Sequence, residues 1–106
     1  MHTEYLLEKE LSYEDISADC EIKDGDIFID GAHIGSFQIL PYSDGTVYFH
    51  SFVIDRPGLG YGTRVFPQIL NHLGKDYKKI RLQVSSENTA AMKLYKDFKI
   101  VEQVTV

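Results

Sequence analysis

Asp55-Arg56-Pro57-Gly58-Leu59-Gly60-Tyr61-Gly62-Thr63 joins an apolar, strand-like run to an apolar, helix-like run through glycines at alternate positions. A turn without Cβ atoms lets backbone N–H groups come close to an anion. A helix that starts there aims its unpaired amides and the positive end of its dipole at the same spot. The stretch therefore reads as a phosphate cradle, with Gly58, Leu59, Gly60, Tyr61, Gly62 and Thr63 as its candidate residues. The same glycines would also suit a flexible turn or a tight packing point, and the stretch alone does not choose between these. A Walker A loop needs Lys and then Ser or Thr directly after its last glycine, whereas Thr63-Arg64 follows Gly62. A dinucleotide fold needs a long βαβ array with an acidic residue roughly 20 positions downstream. In a chain of 106 residues, too little sequence follows Gly62 to build that sheet.

Working outward, Thr46 to Ile54 alternates as a strand that runs straight into the loop. Downstream, Val65, Phe66, Ile69, Leu70 and Leu73 form the apolar stripe of a helix. Pro67 lies inside it and should bend it or remove one hydrogen bond. Asn71-His72-Leu73-Gly74 ends it, with Gly74 available as a left-handed cap and His72 as a surface partner of the helix dipole. Ile80 to Val84 reads as a short strand, Asn88 to Phe98 as a second helix capped by Asn88, and Ile100 to Val106 as a last strand rich in Val and Thr. Upstream, the hairpin dipeptides Asp24-Gly25, Asp30-Gly31 and Asp44-Gly45 separate Ile27–Ile29, His33–Leu40 and Thr46–Ile54, which predicts a three-stranded antiparallel meander. In the first twenty residues, Leu6, Leu7, Leu11 and Ile16 give partial helical spacing, and Ser12 with Asp15 fits a capping box.

The loop and Glu87-Asn88-Thr89-Ala90-Ala91-Met92-Lys93-Leu94-Tyr95-Lys96-Asp97-Phe98, in this order and at this separation, resemble the GNAT superfamily of N-acetyltransferases. In that family a strand enters a loop written Arg/Gln-x-x-Gly-x-Gly/Ala, and a later helix opens with Asn and carries Ala, then Leu-Tyr. Gly60 and Gly62 match the loop, and Asn88, Ala91, Leu94 and Tyr95 match the helix, so the resemblance covers residues 47 to 106. It departs at Pro57, which stands where the family has Arg or Gln with Arg56 one residue earlier, and at Lys99-Ile100, where many members have Gly-Phe.

The resemblance implies an α+β fold: a mixed sheet whose N-terminal antiparallel meander is followed by β-α-β-α-β, with a splayed strand pair that takes the cofactor arm. Acetyl-coenzyme A is the implied cosubstrate, held by the glycine loop, by Asn88, and by backbone groups of Phe52, Val53 and Ile54. The implied acceptor is an amine on a small molecule, peptide or protein, attacking directly in a ternary complex. Tyr95 is implied as the acid that protonates the departing thiolate; on its residues alone it would equally be an amphipathic core tyrosine. Thr46–Ile54 carries no Glu to serve as the base, which leaves His50 as the candidate beside a structural role for the same side chain. Asp55 would repel phosphates unless turned away. Relatives shape the acceptor site with a first strand and two helices, and the first twenty residues here supply less than that, so either the acceptor side is open or another subunit or a partner closes it.

Bulk properties agree with a single domain over residues 1–106. With 43% hydrophobic and 25% charged residues and no long apolar run, disorder and a membrane span are excluded, and no secretory pattern opens the chain, so a cytoplasmic location is expected. A net charge of −5 disfavours nucleic acid and anionic membranes and favours a cationic acceptor. Basic residues gather between Lys75 and Lys99, as a solvated face or as partners of a phosphate. Cys20 is the only cysteine and the four histidines are scattered, so neither an intrachain disulfide nor a metal site is expected. Pairing through the last strand offers a route to a homodimer. The alternative to an enzyme is a coenzyme A-binding or protein-interaction module that keeps the fold without turnover.

Overall fold

The computed structural model describes all 106 residues. Its elements are β1 (Thr3–Glu10), β2 (Glu21–Lys23), β3 (Asp26–Ile29), β4 (Ala32–Pro41), β5 (Thr46–Ile54), α1 (Tyr61–Leu73), β6 (Lys79–Ser85), α2 (Thr89–Leu94) and β7 (Lys99–Thr105). The seven strands form one sheet in the order β2-β3-β4-β5-β6-β1-β7, antiparallel except for β5 beside β6. The expected meander is present, extended at its start by β2. At two of its turns, both residues of the Asp-Gly pair have positive φ (Asp24 52°, Gly25 86°; Asp30 50°, Gly31 81°), the geometry of the two-residue hairpin turn.

Residues 3–10 form a strand, which corrects the helical reading of the N-terminus. Period two was present there in the acidic residues Glu4, Glu8 and Glu10. Leu7 is buried on the core face, while Glu8 on the other face takes hydrogen-bonded ion pairs from Lys79 (3.0 Å) and Arg81 (2.8 Å) of the neighbouring β6. Burial pushes the Glu8 carboxyl up, but the bonds from Lys79 and Arg81 outweigh it and hold the group below the usual range. Residues 11–20 then run as a strap along α1. The Leu11 amide donates to the Lys78 carbonyl (2.8 Å), Glu14 and Asn71 exchange two hydrogen bonds (2.8 and 2.9 Å), and Arg64 pairs with Asp19 (2.7 Å). Cys20 lies half-buried at the end of the strap, its thiol against Gln68 Oε1 at 3.2 Å, and burial raises its pKa.

Leu7, Ile27, Ile34, Phe37, Val47, Phe49, Ile80, Leu82 and Val84 share one face of the sheet, and with Val65, Phe66, Ile69 and Leu73 of α1 they belong to a single core. Residues of α2 pack on the same core, so both helices cover one face. The overall extents of 41 × 34 × 20 Å fit two layers, and the second face, carrying Glu8, Lys79, Arg81 and Gln83, faces water. α1 continues through Pro67, which cannot donate to the Thr63 carbonyl one turn back. Gly74 has right-handed φ (−64°), not the left-handed cap expected of it. It is required for space: a Cβ there would meet the Ser12 carbonyl oxygen of the strap at 2.4 Å. His72 is half-buried, and burial, reinforced by Lys75, lowers its pKa, so it is not the charged surface partner expected at the helix end. α2 is shorter than read from the sequence and ends at Tyr95.

Candidate functional site

β5 and β6 pair only through Thr46↔Lys79, Val47↔Ile80 and Tyr48↔Arg81. Beyond Tyr48 the strands part, and the register of β5 against β4 slips at the same place, leaving His50 as an extra residue between the pairs Ile39↔Phe49 and Gln38↔Ser51. Such a bulge twists a strand and re-aims it. The parting opens a cavity of about 490 Å³ lined by residues from both faces of the sheet. Phe49, Phe52, Leu82 and Val84 line it towards the helices, and His50, Ser51, Gln83 and Ser85 towards the open face.

Backbone direction along the cavity follows from one bond. The Asp55 amide donates to the Ile34 carbonyl of β4 (2.9 Å), so by strand alternation Val53 also faces β4, and Phe52 and Ile54 present their N–H and C=O groups to the gap. A Cβ on Gly35 would meet the Val53 oxygen at 2.5 Å, which agrees. Of the three strand residues expected to offer backbone groups, Phe52 and Ile54 line the cavity and Val53 does not.

The loop closes the mouth of the cavity on the helix side. Residues 56–59 form a turn with Pro57 and Gly58 at its centre, and φ of +88° at Gly58 fits a type II turn. Gly60 is also left-handed (φ 78°) and directly precedes α1, whose first regular bond runs from the Arg64 amide to the Gly60 carbonyl (3.1 Å). The amides of Gly58, Gly60, Tyr61, Gly62 and Thr63 consequently have no acceptor in the protein. No acidic side chain caps this helix or sits in its first turn. Five free N–H groups beside a helix N-terminus fit an anion. Gly58, Gly60, Tyr61, Gly62 and Thr63 all line the cavity, whereas Leu59 points out of it and is 62% exposed. Arg56, one residue before the position where the family motif has its Arg or Gln, lines the mouth with no ion-pair partner and supplies a free cation beside the amides.

On the opposite wall, Asn88 accepts from the Ala91 amide (3.1 Å) and starts α2 as expected, and its side chain reaches the cavity. Tyr95 ends that helix, its ring against Phe66 (5.2 Å) and Phe98 (5.5 Å). Its hydroxyl has no protein partner, and no buried polar side-chain atom lacks one, so the hydroxyl is open to the cavity. Burial of the ring raises the phenol pKa, which keeps the proton on at neutral pH. His50 lies at the bulge, exposed and tilted against Tyr48 (6.4 Å). No Asp or Glu lines the cavity, and no cluster of ligating side chains suits a metal ion. Ser51, Gln83 and Ser85 were missed from the sequence; alternation along Ile80–Val84 does place Gln83 opposite the core, but nothing local reveals that its strand borders a gap.

A bulged strand that leaves its parallel neighbour halfway, with a glycine loop and a helix N-terminus across the mouth of the gap, defines an acyltransferase type of fold. The family model described as the acetyltransferase (GNAT) family matches residues 2–99. With nearly the whole length matched, the chain belongs to the GNAT family of acetyltransferases. Members of this family generally use acetyl-coenzyme A. No curated protein matches the chain.

Proposed function

We propose that the protein transfers the acetyl group of acetyl-coenzyme A to a primary amine while both are bound. The observation that carries this reading is the row of five acceptor-free amides that continues from a gap lined by strand backbone. The phosphates would take the amides of Gly58 and Gly60–Thr63 with Arg56 beside them, and the pantetheine arm would lie against Phe52 and Ile54 as an added strand. The amine would enter from the open face past His50, Ser51, Gln83 and Ser85.

In the reaction, the amine nitrogen bonds to the thioester carbonyl carbon and the C–S bond breaks. Strand amides facing the gap, such as those of Phe52 and Ile54, stabilise the charge that builds on the carbonyl oxygen. Tyr95 gives its proton to the leaving sulfur and regains one from solvent. The proton lost by the amine passes to His50 or to water, since no carboxylate lines the cavity.

That lack of a carboxylate also supports the second reading, a coenzyme A-binding module without turnover. Calorimetric titration with acetyl-coenzyme A and with free coenzyme A, followed by thiol release with a panel of amines, separates the two. The enzyme reading predicts micromolar binding of both and thiol release that falls about 100-fold in Tyr95→Phe, with affinity changed less than about twofold. An unchanged rate in Tyr95→Phe removes the acid role; binding without release for any amine favours the module.

A further inference from the structure

Asp55 stands between the end of β5 and the glycine loop, directly before Arg56, so its charge bears on any anion held there. This inference rests on the proposed reading of that loop as the seat of a phosphorylated cosubstrate. The amide of Asp55 is held by the Ile34 carbonyl (2.9 Å), which extends the β4–β5 ladder one residue beyond the strand and turns the side chain to the open face. There Asp55 Oδ2 lies 2.5 Å from His33 Nδ1, and His33 Nε2 lies 2.9 Å from Asp26 Oδ1. Carboxylates only accept, so an imidazole that satisfies both must donate from both nitrogens, which makes it an imidazolium. The Phe28 ring meets the imidazole edge-on (5.3 Å, 81°) and fixes its plane. The hydrogen bond with Asp26 and then that with Asp55 raise the His33 pKa. Asp26 and Asp55 are the charged groups that act on His33; Lys23 opposes Asp26 across the β2–β3 pair, Asp30 lies in the β3–β4 turn, and Arg56 follows Asp55 in the chain.

We propose that His33 is a positioning residue for the anion site: as an imidazolium it holds the Asp55 carboxylate on the open face, where the backbone has turned it, and offsets part of its charge, so that the five free amides meet an anion with less opposition from that carboxylate. Asp26 on the far side of the ring holds His33 charged. Uncoupled from His33, Asp55 is a full negative charge at the entry to the loop, and its carboxylate is free to turn towards the amides.

The test is a double-mutant cycle on coenzyme A affinity, by calorimetry, with the full chain. Glutamine can still hydrogen-bond but carries no charge, so His33→Gln isolates the electrostatic part. At neutral pH, His33→Gln is expected to bind coenzyme A roughly three- to tenfold more weakly, the size of a screened interaction between a carboxylate and a nearby pyrophosphate. Asp55→Asn is expected to bind at least as well as the wild type, and His33→Gln added to it is expected to have no further effect. As pH rises through the raised His33 pKa, wild-type affinity should fall relative to Asp55→Asn, because the compensating charge leaves while Asp55 stays ionised. Titration of the ligand's own phosphate is common to both proteins and cancels in that ratio. Equal losses from His33→Gln in both backgrounds, or a wild-type to Asp55→Asn ratio flat with pH, overturn the proposal while leaving the cradle intact. No binding of coenzyme A by the wild type overturns the cradle and this proposal together.

Discussion

Gly60 and Gly62 look equivalent in the sequence, and the structure gives them different jobs. Gly60 is left-handed at φ 78°, whereas Gly62 is the second residue of α1 with no positive φ. Alanine at 60 meets no atom within 4 Å, so its cost is conformational: about 1–2 kcal/mol for a side chain in the left-handed region. The loop can relieve that strain only by rotating the amides of Gly60 and Tyr61 away from the cavity. Each hydrogen bond to a charged group lost in this way is worth roughly 1.5–3 kcal/mol. Binding can restore the left-handed geometry at the cost of that strain of about 1–2 kcal/mol, which caps the loss, so Gly60→Ala should raise the acetyl-coenzyme A Kd by about 5- to 30-fold, at 1.4 kcal/mol per factor of ten. Alanine at 62 would sit 4.0 Å from Ile54 Cγ1, an ordinary contact, and would favour the first turn of the helix by about 0.5–1 kcal/mol. Gly62→Ala should bind within about twofold of the wild type and melt a few degrees higher. Calorimetry and thermal melts on both variants make the comparison. Equal losses of affinity would mean that the glycines serve close approach of a ligand to the backbone, and an intact Gly60→Ala would mean that these amides do not hold the anion.

Two further outcomes concern stability. Gly74→Ala puts a Cβ 2.4 Å from the Ser12 carbonyl oxygen, a backbone atom of the strap, so urea unfolding should show a loss of about 1–3 kcal/mol where a helix-end glycine would normally gain from alanine; a neutral result would mean that the strap moves freely. For His72, burial lowers the folded pKa below the unfolded value near 6.5, so the unfolded chain takes its proton first and stability falls as pH drops through about 6.5, levelling off below the folded value. His33 contributes with the opposite sign, so the measurement is the difference between wild-type and His72→Gln unfolding free energies across pH 5 to 8. A difference that does not change with pH would show that His72 titrates alike in both states.

The readable part of this protein is local. Asp24-Gly25 and Asp30-Gly31 fix hairpin turns whatever surrounds them, and the stripe from Val65 to Leu73 has one apolar face because it covers one sheet. The loop was legible for the same reason, since Pro57-Gly58 and Gly60 specify backbone angles directly. The cavity's other rim was not, because Gln83 and Ser85 border a gap only by virtue of where β5 stops pairing, and that stop comes from a bulge at His50 that no single residue announces. His33 and Asp55 are 22 positions apart and meet only after β4 and β5 have found their register.

The N-terminal segment imitates a helix because Leu7 and Leu11 are four apart, while its strand signal lies in Glu8, whose partners, Lys79 and Arg81, come some seventy residues later. That strand accounts for how the gap persists. β5 stays paired with β4 as far as Ile54, and β6 stays paired with β1 from Lys79 to Ser85, so each wall of the gap is held from behind along its whole length. Two strands that part in the middle of a sheet would leave a row of unpaired backbone groups free to slide together or recruit other strands. Here β1 fixes one wall and the meander fixes the other. The groups left over between them are the ones that an extended ligand arm can use.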